Sequence, residues 1–101
     1  MELKELLKIN VEELRKVEKK EIIEIISQIE TFDSSKLDLD SQTEAELLNK
    51  ILRDIENCLR DIIRNWENIK AGWLVPQTPK DVCRYYSATS VIRKLIYGLG
   101  E

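Results

Sequence analysis

The sequence predicts an all-α fold: a bundle of four or five helices forming a single domain over residues 1–101. Three observations carry this expectation. Apolar residues between positions 44 and 69 recur at spacings of three and four, the period of a helix with one buried face. Residue pairs with helix-start spacing stand at Asn10/Glu13 and Thr78/Asp81. No segment alternates apolar and polar residues as a half-buried strand would.

The elements follow in order. Residues 1–9 form a short helix with Leu3, Leu6 and Leu7 on one side, and Asn10 with Glu13 starts a new helical segment. Ile22, Ile25, Ile26 and Ile29 then fall at i, i+3, i+4 and i+7. Isoleucine favours strands, but the interleaved Glu21, Glu24 and Gln28 place the apolar residues on one helical face. The stretch 32–43, rich in Ser and Asp, reads as a loop. Two capping pairs compete to end it, Ser41 with Glu44 and Thr43 with Glu46.

The central helix, about 44–69, carries Ala45, Leu48, Leu52, Ile55, Leu59, Ile62, Trp66 and Ile69 as a seam. Leu47, Ile51, Cys58 and Ile63 widen it into a face that meets more than one neighbour. At 1.5 Å per residue this helix is about 39 Å long. Gly72 stops it. Thr78 as cap, Pro79 at the first helical position and Asp81 at the third start a C-terminal helix over about 79–97. Val82, Tyr85, Thr89, Ile92, Ile96 and Leu99 line one side of that helix.

Composition bounds the function. Net charge is −3, divided as −5 over residues 1–50 and +2 over 51–101. That is too little positive charge for tight non-specific binding to nucleic acid, which depends on neutralising many phosphates. The chain has two cysteines, Cys58 and Cys83, and no histidine, so no zinc site and no cofactor is expected. Both thiols lie in or beside apolar stripes, where a free cysteine packs as a small hydrophobe. Carboxylates are plentiful but spaced for i,i+4 ion pairs, such as Glu12 with Lys16 and Glu56 with Arg60. Without a phosphate loop or converging acids, the expectation is a protein that is not an enzyme. No run is long and apolar enough to span a membrane and no signal peptide opens the chain, which predicts a soluble, cytoplasmic protein.

Binding is therefore the functional class, and candidates cluster near the C-terminal end. "AGWLVPQTPKD" (71–81) places large apolar groups in a connection restricted by two prolines. Trp73 and Leu74 either fold back onto the bundle or anchor a partner; Trp66, on the seam, is core and a secondary interface candidate. Arg84, Tyr86, Arg93, Lys94 and Tyr97 are the nucleic-acid candidates, since Tyr86, Ser90, Arg93 and Tyr97 share a face in a continuous helix and aromatics beside arginine can stack bases. Buried rings with charges in water are the plainer outcome.

The order of elements, with "EAELLNKILRDIENCLRDIIRNWENIK" followed by "QTPKDVCRYYSATSVIRKL", resembles the helical A-domain of archaeal GINS subunits. In that family the long helix ends in an acidic-hydrophobic then basic motif. "DIIRNWENIK" is similar, with Asp61 in place of a glutamate, Ile69-Lys70 reversing the family's closing pair, and Trp66 where arginine stands, or Arg64 supplying it out of register. The family's usual β-rich B-domain has no counterpart in these residues. The resemblance implies a non-catalytic scaffold subunit of a replicative helicase complex, contacting sister subunits, the MCM ring and a RecJ-like protein, and associated with the nucleoid. The rival readings are a small helical subunit of a type III CRISPR effector complex, similar in the pattern "CRYYSATSVIRKLIYGL", and an archaeal-virus protein that self-associates through its long helix.

Overall fold

In a computed structural model, residues 1–100 are described, and every regular element among them is helical. The elements are α1 (Leu3–Leu6), α2 (Val11–Leu14), α3 (Lys19–Glu30), a 3₁₀ turn (Ser34–Lys36), α4 (Gln42–Arg64), α5 (Trp66–Lys70), α6 (Pro79–Tyr85) and α7 (Ser90–Gly98). The expected all-α bundle around one long helix is the observed architecture. The expected four or five helices become seven α-helices among the described residues because three segments break where side chains bond to the backbone.

The first break follows α2. Asn10 and Glu13 form the reciprocal capping box expected of them, but the helix lasts one turn. Its exit is held by α5: Arg15 Nε donates to the Ile69 carbonyl at 3.0 Å, and Lys70 Nζ donates to the carbonyls of Arg15 and Val17. Those carbonyls, satisfied by a lysine, need no further helical turn. Glu18 N–H then donates to the Glu21 carboxylate and α3 begins. Its buried residues are Ile22, Ile25, Ile26 and Ile29, the four that the spacing selects. The second break, at Asn65, is slight. Asn65 Nδ2 donates to the Asp61 carbonyl at 2.9 Å, a local bond that competes with the helix, and α5 resumes at Trp66.

The third break corrects the C-terminal helix expected over about 79–97. Thr89, read as a seam position, is the N-cap of α7: its hydroxyl accepts from Ile92 N–H and donates to the Tyr86 carbonyl. The interruption changes the phase of the buried face. Tyr86, not Tyr85, turns inward, beside Val82 and Cys83 on α6 and ahead of Val91, Ile92 and Leu95 on α7.

Ser41 wins the competition to cap α4, accepting from Glu44 N–H at 3.2 Å. The Glu44 carboxylate is then free to accept from Asp40 N–H and from Lys94 on α7. Around α4 pack α3, α6 and α7. Glu30 meets Arg60, and Lys94 meets Asp40 and Glu44 while Tyr86 meets Asp54. Both flanking segments therefore run antiparallel to α4. Leu48, Ile51, Ile55 and Leu59 are fully enclosed, each worth about 1.5–3 kcal/mol relative to exposure. At the far end Leu37 lies so close to Gly98 that a Cβ there would fall 2.2 Å from Leu37 Cδ2; a glycine lets the 3₁₀ turn's exit seat against α7.

Candidate functional site

The connection from α5 to α6 is ordered by its own ends. Gly72, at φ +83°, takes the left-handed conformation that glycine adopts without strain. Its N–H donates to the Ile69 carbonyl and that of Trp73 to Asn68, a Schellman close to the helix. Six residues later Thr78, buried, exchanges bonds with Asp81: Thr78 N–H donates to the carboxylate at 3.0 Å and Asp81 N–H to the threonine hydroxyl at 3.3 Å. The Thr78 backbone N–H is also the main reason the Asp81 carboxyl titrates below its usual range. Between the two anchors, the Gln77 carbonyl accepts from Cys58 Sγ on α4 at 3.2 Å. Bonds at both ends fix a segment with no regular structure of its own.

What this segment displays is apolar. Trp73 is 84% exposed and Val75 72%, with Leu74 at 37%. Fold-back of the indole onto the bundle, one of the two expectations for Trp73, is not what occurs. The Schellman close aims the chain away from the core before the prolines return it to α4. Trp66, read as seam core and also named as an interface candidate, is core: it is 8% exposed, with the Lys70 ammonium 5.3 Å from its ring centroid.

The nucleic-acid candidates separate. Tyr86 is buried and its hydroxyl donates to Asp54, which, with burial, pushes its pKa up to about 12. Lys94 is held by Glu44 at 2.8 Å and Asp40 at 3.1 Å, its charge matched and its pKa raised mainly by the Glu44 bond. Arg84, Arg93 and Tyr97 are exposed, but Arg84 lies on α6 and the other two on α7. The single face through Tyr86, Ser90, Arg93 and Tyr97 does not form, because the break at 86–89 lies within it.

Cys58 and Cys83 are buried and unpaired. Burial raises the Cys58 thiol to about 12, helped by the charges of Asp61 and Asp81, and the Cys83 thiol to about 11. Neither is a thiolate near neutral pH, so neither is a nucleophile there. Among the described residues no group of three or more His, Cys, Asp or Glu side chains could hold a metal ion, and no helix is long and apolar enough to cross a membrane.

Tyr85 is the surface residue that periodicity misassigned. Placed on the buried side of a continuous helix, it instead stands 80% exposed with its ring edge-on to Tyr86, centroids 5.1 Å apart. Beside it a groove of about 380 Å³ opens between α4 and α6, with Asp54, Asp61 and Gln77 among its walls. The signal that could have found it was Thr89: taken as an N-cap, it breaks the helix and turns Tyr85 outward. No family model, no curated protein and no solved structure matches this chain.

Proposed function

We propose that this protein is a non-catalytic assembly subunit that docks onto a partner protein through the 73–75 connection, acting as a scaffold in the manner of the GINS A-domain that its sequence resembles. The observation that carries the reading is a large apolar group, Trp73, held in solvent on a segment whose backbone is already fixed. Apolar surface held outward costs hydration until a partner covers it. Order in the free chain lowers the entropy lost when that happens. Tryptophan is also among the residues that most often dominate interface energetics.

The buried, high-pKa thiols and the ion-paired carboxylates favour binding over chemistry. The nucleic-acid reading keeps three exposed residues, Arg84, Arg93 and Tyr97, but loses Tyr86 to the core and Lys94 to two carboxylates. Reconstitution tests the proposal. The intact chain, and its Trp73→Ala variant, are mixed with purified replicative-helicase components: sister GINS subunits, an MCM ring and a RecJ-like protein. A complex formed by the native chain and lost in the variant is the expected result. Equal behaviour of the two, or binding to single-stranded nucleic acid that persists at physiological salt and needs Arg84 and Arg93, overturns it.

A further inference from the structure

The groove between α4 and α6 is continuous with the exposed connection. From its walls at Cys58, Asp61 and Gln77 a second depression of about 120 Å³ extends to Leu74 and Pro76. The two together make a trough with the Tyr85 ring in one part and Leu74 and Pro76 of the connection in the other. Along α4 it runs from Lys50 to Asn65, about 22 Å at the helical rise, the reach of roughly six or seven residues of extended chain.

Its charge is one-sided near the middle. Asp54 and Asp61 stand one above the other's flank on α4, seven residues apart, and Asp81 approaches from α6. The cations nearby are peripheral. Lys50 lines the far end, and Arg64 meets Asp61 at 2.8 Å with both side chains largely in water, where such a pair is weak and exchangeable. Lys80 and Arg84 act on Asp81 from their own helix. The floor is the buried Cys58 thiol, which donates to the Gln77 carbonyl at 3.2 Å.

We infer that this trough binds an extended segment of a partner protein carrying lysine or arginine between apolar side chains. The cation sits by the Tyr85 ring and the Asp54 and Asp61 carboxylates, and the apolar side chains rest on Leu74 and Pro76. An ammonium or guanidinium beside an exposed tyrosine gains from the ring's negative face as well as from the carboxylates. Phosphate backbones are repelled by the same carboxylates, which sets this face against nucleic acid. The inference rests on the assembly reading and adds to it the chemistry of the partner.

The test uses the intact chain, isotopically labelled, with two short synthetic peptides of the same order, one placing lysines between leucines and the other placing glutamates there. The lysine peptide is expected to shift the amides of Asn57, Asp61, Gln77 and Tyr85, and the glutamate peptide to leave them unmoved. Asp61→Asn together with Tyr85→Ala, both at exposed positions, should weaken the lysine peptide about tenfold, the loss of two solvent-exposed contacts. Asp54→Asn is a second variant; because Asp54 accepts from Tyr86, its folded state is checked by thermal melt first. Equal binding of both peptides, or amide shifts confined to other faces, overturns the inference. So does a concentration-dependent dimer that shifts these same amides without peptide, since the occupant would then be a second copy. The two failures are distinguishable: loss of the reconstituted complex in Trp73→Ala with no lysine-peptide binding removes the trough alone, whereas peptide binding with a complex indifferent to Trp73→Ala removes the assembly reading.

Discussion

Trp66 and Trp73 lie seven residues apart, two helical turns in an unbroken helix, yet one is 8% exposed and the other 84%. The first belongs to a region where every apolar position is met by a neighbouring helix. The second belongs to a region where short local bonds end one helix and begin the next. Burial in the first follows from spacing. In the second it follows from where caps fall, and the same residue type becomes core or display accordingly. A seven-residue separation keeps two side chains on one face only while the backbone stays helical, and Gly72 ends that.

The largest expected effect tests the first region. Leu59 has no exposed surface and sits in the C-terminal half of α4 among the enclosed residues. Leu59→Ala should cost about 2–5 kcal/mol through lost burial and the cavity left behind, read as a drop in denaturant midpoint. An unchanged midpoint would mean that the seam is not enclosed as described.

Next comes the device that holds the second region in place. Thr78→Ala removes the hydroxyl that accepts from Asp81 N–H and donates to its carboxylate. A buried cap of this kind is worth about 1–2 kcal/mol. The loss should loosen the connection, so hydrogen exchange ought to rise at Gln77 to Val82 while α4 stays protected. Uniform loosening of both regions would erase the distinction drawn between them.

A pH scan sharpens the comparison from another side. The Glu44 carboxyl titrates below its ordinary 4.5 first because Lys94 donates to it, then because Asp40 N–H does. A depressed folded pKa gives stability that is fully present above 4.5 and is lost as pH falls through the lower folded value. Glu44→Gln should therefore flatten the acid limb of a stability curve by lowering the neutral region, and should match the native protein in acid, where that stability is already lost. Tyr86 works at the opposite end. Its pKa, raised from 10 to about 12 by the Asp54 bond and burial, gives stability that is full below 10 and lost as pH climbs through 12, and Tyr86→Phe should remove that alkaline loss.

Much of the fold was legible, and the reasons are local. The α3 isoleucines and the α4 seam were readable because a long amphipathic helix repeats its message every turn, so one ambiguous residue changes little. The Asn10/Glu13 and Thr78/Asp81 boxes were readable because both partners lie within one turn. The exit of α2 was not, since Lys70 reaches it from 55 positions away in the chain. The break at 86–89 was hidden by ambiguity: threonine is both a β-branched apolar surface and a capping hydroxyl, and spacing alone favoured the first. That ambiguity put Tyr85 on the buried side, where the structure has Tyr86. The exposed connection was noticed from its composition, but the side of the Schellman turn to which Trp73 points depends on backbone geometry that residue types do not specify.

The smallest expected effect on stability is the most informative about function. Trp73→Ala deletes the largest side-chain type in proteins, yet the indole is mostly in water and the connection's bonds are made by backbone groups, Cys58 and Asp81. Its cost should stay within about 0.5 kcal/mol, the range of ordinary surface substitutions. Single-indole variants separate the two regions optically. In Trp66→Phe the remaining Trp73 should emit as an indole in water, be quenched readily by acrylamide, and shift to the blue when a partner covers it. In Trp73→Phe the remaining Trp66 should emit as a sheltered indole, ignore the partner, and move to the red only as the bundle unfolds. A sheltered emission from Trp73 in the free chain would place both tryptophans in the core. The contrast between the regions would then disappear, and with it the apolar anchor on which the assembly reading stands.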